Sequence, residues 1–147
     1  MGGSPYWYFE KYQPDVGAAL HELRQREFEA GRYNPVIPDP KFPPGPASPS
    51  PGAQHSSIRE AMLAAADEGT RSILDLGAVS EEAALGVVAP LGEEAIESLY
   101  GTTRPTHEMV EKDMTFLEEI GRGQGVYIIL YRDDKPDEIL LAGYSFD

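Results

Sequence analysis

An α+β fold is what this 147-residue chain predicts, on three grounds. Strand-like and helix-like segments follow one another as strand, helix, loop, helix, strand, two helices and hairpin, with no βαβ repeat. The strongest apolar run, at 126–131, is followed after a polar turn by a second at 138–143, which reads as a C-terminal β-hairpin. Apolar residues make up 41% of the chain and aromatics 10%, enough for one core. The expected architecture is a mainly antiparallel sheet of about four strands covered by three to four helices on one face.

Each element has its own local reason. Tyr6-Trp7-Tyr8-Phe9-Glu10-Lys11-Tyr12 is aromatic and alternating, hence a strand. Asp15 is an N-cap for a helix whose side at helical spacing is Val16, Ala19, Leu20, Leu23 and Glu27, ended by Gly31. Ser57-Ile58-Arg59-Glu60 fits a capping box for a helix from Ile58 to about Asp67. Residues 72–76 read as a short edge strand, 81–85 as a brief turn capped by Ser80, and 93–100 as a helix closed by Gly101. Thr106 caps a last helix over about 107–120, striped by Val110, Met114, Leu117 and Ile120. Strand 126–131, nearly continuous in apolar residues, is expected to be central, with a hairpin turn of about five residues at 133–137.

Between Pro35 and Pro51 stand eight prolines in 17 residues, which rules out a helix or a central strand there. Residues 35–54 are therefore a Pro-rich surface loop within a single domain spanning 1–147. Val36, Ile37 and Phe42 are large apolar side chains for a linker, which predicts a loop docked at least through Phe42.

Charge narrows the function. The formal net charge is −13, and it is unevenly divided: residues 1–74 carry net −2 and residues 75–147 net −11. Such a chain is poorly matched to phosphate backbones or anionic lipid, so neither nucleic acid nor membrane is expected as a partner. No cysteine is present, which excludes disulfides, thiolate metal sites and thiol nucleophiles. With no apolar run near the roughly 20 residues of a membrane span, and no basic-then-apolar leader at Met1–Pro5, a cytoplasmic location is the expectation.

Motifs for chemistry are weak. His107 and Glu111 lie one helical turn apart, but no third ligand is evident, and an i,i+4 pair accounts for them better than a metal. His21 and His55 read as surface residues. Gly121-Arg122-Gly123-Gln124-Gly125 follows a helix C-terminus, the wrong end for cradling phosphate. No catalytic residue, metal or cofactor is expected.

Two functional readings remain. In the first, the protein is an acidic, non-catalytic interaction protein that binds a basic protein partner, as inhibitors or immunity proteins do. Glu108, Glu111, Asp113, Glu118 and Glu119 would steer the encounter, and Tyr6, Tyr8 and Tyr12, sharing one face of the first strand, would supply contact area. In the alternative, a small enzyme or binder recognises an anionic ligand between the sheet and the Pro-rich loop through Arg24, Arg26, Tyr33, Asn34 and Arg122. Under either reading, solubility is expected to fall to a minimum near the sequence pI of about 4.5 as carboxylates protonate; a flat curve from pH 7 to pH 4 would contradict this.

Overall fold

A computed structural model describes residues 4–37 and 49–146. Its elements in chain order are β1 (Pro5–Lys11), α1 (Val16–Ala30), α2 (Ile58–Ala65), β2 (Ala78–Val79), β3 (Val87–Pro90), α3 (Glu93–Tyr100), α4 (His107–Lys112), β4 (Gly125–Arg132) and β5 (Lys135–Tyr144). Short 3-10 turns cover Ala66–Glu68, Ile73–Asp75 and Thr115–Glu119. Among the described residues, no helix is long and apolar enough to cross a membrane.

The sheet has five strands in the order β1-β5-β4-β3-β2. β1, β5 and β4 pair antiparallel, whereas β3 and β2 add parallel to β4, so the sheet is mixed. β4 is central, as its apolar run predicts.

Both sheet faces are covered, not one. Along β5, Ile139 and Leu141 point to one layer and Leu140 and Ala142 to the other, and all four are fully buried. The first face also carries Tyr6, Tyr8 and Val88, packed under Leu20, Leu23 and Phe28 of α1 and under Ile73, Leu74 and Leu76. The second face carries Trp7, Phe9, Ile128 and Leu130, packed under Ile96, Val110, Phe116 and Leu117.

The helix caps form as expected. Asp15 Oδ1 accepts from Ala18 N at 3.1 Å, Ser57 Oγ from Glu60 N at 3.1 Å and Thr106 Oγ1 from Met109 N at 3.2 Å. Other elements depart from the sequence pattern for local reasons. The expected strand 72–76 is instead the Ile73–Asp75 turn, because Ser72 Oγ accepts from Leu74 N and Asp75 Oδ1 accepts from both Thr70 N and Thr70 Oγ1. The helix expected over 107–120 breaks at Asp113, whose carboxylate takes the N–H and hydroxyl of Thr115 and starts the next turn. The brief turn expected at 81–85 is irregular chain, and the strand beyond it, β3, ends in Pro90. The hairpin turn shrinks from about five residues to two, Asp133 and Asp134, both at positive φ, with a register shift at Leu130/Tyr131 absorbing the difference.

The far end of the Pro-rich loop docks on the C-terminus of α1. Gly52 N donates to Ala30 O, Ala53 N donates to Glu29 O, and Gly31 adopts the left-handed conformation beneath Gly52, where a Cβ would collide with the Gly52 carbonyl. At the near end Val36 packs on the first core, while Phe42 lies outside the described residues. Arg32 joins the two: its guanidinium donates Nε to Glu27 Oε1 at 2.9 Å and Nη2 to Glu27 Oε2 at 2.6 Å, and its Nη1 reaches Ser50 Oγ. Glu27 is only 3% exposed, and the two hydrogen bonds from Arg32 compensate its burial. Arg32→Ala is expected to cost about 3–5 kcal/mol by chemical denaturation, because it strands a buried carboxylate, and Glu27→Gln combined with Arg32→Ala should recover part of that loss. A wild-type midpoint for Arg32→Ala would contradict the assignment.

Candidate interaction surface

Because the chain lays down its N-terminal helices on one sheet face and its C-terminal helices on the other, the uneven charge along the sequence becomes an uneven charge across the molecule. α1, α2 and the Ala66–Glu68 and Ile73–Asp75 turns carry seven acids and three arginines, with Glu27 and Asp75 among the acids buried. α3, α4 and the Thr115–Glu119 turn carry seven glutamates and one lysine, and all seven glutamates are exposed. Glu93 and Glu94 stand in the first turn of α3, where the helix dipole favours them. Glu119 is the last residue of its turn, where it does not. The described ion pairs involve none of Glu93, Glu94, Glu97, Glu118 and Glu119.

Between α3 and the Thr115–Glu119 turn runs a groove of about 480 Å³. Leu91, Ala95, Leu99 and Phe116 form its apolar part, with Ser98, Thr115, Glu118 and Glu119 alongside. An adjoining acidic concavity of about 470 Å³ is lined by Glu93, Glu94, Glu97, Ser98 and Thr103, so Ser98 is common to both. Tyr100 ties the walls together by donating its hydroxyl to Asp113 O at 2.7 Å. Burial, and then the nearby Asp113 charge, push that phenol up to about 12.

The acids singled out by sequence divide here. Glu118 and Glu119 line the groove. Glu108 is exposed on α4, Glu111 faces His107, and Asp113 is taken up by Thr115. The tyrosine expectation is corrected: Tyr6 is fully buried and Tyr8 is 6% exposed, with the Tyr8 hydroxyl accepting from Ile73 N at 3.3 Å, while Tyr12 packs half-buried on the same core. Those rings face α1, not solvent. Glu93, Glu94 and Glu97 went unremarked in the sequence, although their spacing places them together on a short helix, as did the apolar groove residues Leu91, Leu99 and Phe116.

The basic set proposed for an anion is dispersed among internal contacts. Arg24 Nη2 donates to Leu74 O at 2.7 Å, and Arg26 Nη2 lies 2.6 Å from each oxygen of Glu10. Tyr33 is fully buried and bonds His55 Nδ1 at 2.8 Å, which makes His55 half-buried rather than a surface residue. Asn34 Nδ2 donates to Gly69 O at 2.9 Å. Arg122 is exposed in the loop entering β4. None of the five lines the groove, the acidic concavity or the shallow depression beside Pro14 and Tyr127.

No family model matches this chain, and no curated protein and no solved structure matches it either.

His107 is held between carboxylates at the edge of the acidic face. Its Nδ1 lies 2.7 Å from Glu138 Oε1 and its Nε2 3.5 Å from Glu111 Oε2, while the ring lies 4.0 Å from that of Phe9. The two acids sit on opposite ring nitrogens and so do not converge on one point. Partial burial opposes the imidazolium, but the hydrogen bond and charge of Glu138, with Glu111 behind, outweigh it and raise the pKa above the ordinary histidine value. A raised folded pKa means that this stabilisation is complete below the unfolded value, about 6.5, and is lost as pH rises through the folded one. Thermal melts should therefore show wild type losing stability between pH 6 and pH 9 relative to His107→Gln. Parallel pH profiles would show that the imidazolium contributes nothing.

Proposed function

We propose that this protein is an acidic, non-catalytic interaction protein that binds a basic protein partner through the face formed by α3, α4 and the Thr115–Glu119 turn. The observation that carries the reading is the uneven charge: seven exposed glutamates and one lysine over one sheet face, against five exposed acids and three arginines over the other. Like charges crowded on one face repel one another and reduce the stability of the compact state. The helix dipole accounts for Glu93 and Glu94 but not for Glu97 or Glu119, which stand beyond the first turn. A potential of one sign spread over one face attracts an oppositely charged surface and accelerates its association. The same potential repels nucleic acid and anionic lipid. An inhibitor or immunity protein uses this arrangement to mask a cationic site by occupying it, with no chemistry of its own.

The test is capture from a native lysate at low salt on the immobilised protein. Basic proteins should be retained and then released as salt is raised, since exposed charges are screened within about 10 Å at 0.1 M. A Glu93→Lys/Glu94→Lys/Glu97→Lys variant should retain none of them, whereas Glu22→Lys/Glu29→Lys on the opposite layer should behave as wild type. Equal retention by both variants, or retained proteins with no excess of basic residues, would overturn the reading.

A further inference from the structure

The groove between α3 and the Thr115–Glu119 turn differs from a merely solvated acidic surface in having an apolar floor. Leu91 and Leu99 are half-buried there, beside Phe116, in a concavity whose volume of about 480 Å³ is within the roughly 300–1,000 Å³ typical of ligand clefts. Carboxylates stand on both sides: Glu118 and Glu119 on the turn, and Glu94 and Glu97 in the adjoining concavity that shares Ser98. Apolar surface flanked by one sign of charge is complementary to a segment that is apolar along a stripe and cationic beside it.

We infer that the groove receives an amphipathic basic helix of the partner protein, with its apolar stripe on Leu91, Ala95, Leu99 and Phe116 and its lysines or arginines against Glu94, Glu97, Glu118 and Glu119. This rests on the reading of the acidic face as the binding face and adds what is bound and where. A helix fits better than a strand, because the groove walls are α3 and a 3-10 turn. Their backbone groups are largely committed internally, leaving no sheet edge to extend, and side chains at i, i+3, i+4 and i+7 are what such a groove reads. α3 has eight residues, about 12 Å at 1.5 Å per residue, so the contact spans about two turns of the incoming helix. The acids set attraction and rate; the floor sets which basic segment stays.

Anisotropy titrations with two labelled peptides of equal charge test this at near-physiological salt. One places leucines at helical i, i+3, i+4 and i+7 positions among lysines; the other has serine at those leucine positions. Wild type should bind the leucine peptide saturably and about tenfold or more tighter than the serine peptide. Ala95→Trp fills the groove without removing a carboxylate and should lower leucine-peptide affinity to the serine-peptide level. Ser98→Tyr, an exposed position on the groove wall, provides the same test should Ala95→Trp not fold. If the leucine peptide binds the filled variants as tightly as wild type, or the two peptides bind wild type equally, the groove inference is overturned while the acidic-face reading stands. If neither peptide binds even at low salt, both are overturned.

Discussion

β5 is buried on both sides, and that burial dictates how the other elements are laid down. Ile139, Leu140, Leu141 and Ala142 are consecutive and all fully buried, so each sheet face must have its own apolar cover. Truncating a large side chain at such a position typically costs about 2–5 kcal/mol, so neither cover is dispensable. The chain supplies the covers in sequence order: α1, α2 and the Ile73–Asp75 turn over one face, then α3, α4 and the Thr115–Glu119 turn over the other. Because the two halves differ in charge, a two-sided core produces a two-sided molecule, with more exposed acid and fewer cations over the second face than over the first.

That consequence also marks where sequence reasoning stops. Alternation in β1 separates Tyr6 and Tyr8 from Trp7 and Phe9 without saying whether one or both sets will be covered. With one set facing outward, the pattern implies a one-layer sandwich with a tyrosine surface. In the fold the phenol rings lie under α1, and the Tyr8 hydroxyl is satisfied by Ile73 N. The signals that were legible are those determined by adjacent residues: the Asp15, Ser57 and Thr106 caps, the left-handed Gly31 and Gly101, and the apolar runs of β4 and β5. What was not legible is where a polar side chain overrides the apolar period around it. Asp113 diverts the last helix with its own carboxylate, and Thr70 and Asp75 hold together a turn that reads as a strand.

The candidate site was half legible for the same reason. Glu118 and Glu119 stood out as part of an acidic helix, and they line the groove. Their counterparts Glu93, Glu94 and Glu97 lie about 20 residues earlier, and only the packing of α3 beside the Thr115–Glu119 turn makes one surface of the two. The arginines show the converse. Arg24 and Arg26 cluster in sequence as if to meet an anion, yet one serves the Leu74 carbonyl and the other pairs with Glu10. A cation close to other cations in sequence says little until its nearest carboxylate is known.

Charge that is unequal between the two faces makes their contributions to salt-dependent stability unequal. Two charge-neutralised proteins are compared with wild type in denaturant titrations at low and high ionic strength: Glu97→Gln/Glu118→Gln/Glu119→Gln on the acidic face, and Glu22→Gln/Glu29→Gln/Glu60→Gln on the other. Exposed like charges repel most when salt is scarce. Neutralising the acidic face should therefore stabilise the protein at low salt and remove most of its stabilisation by added salt, while neutralising the other face should do neither. Equal responses from the two variants would mean that the net charge acts as a diffuse whole, and would contradict the two-faced account.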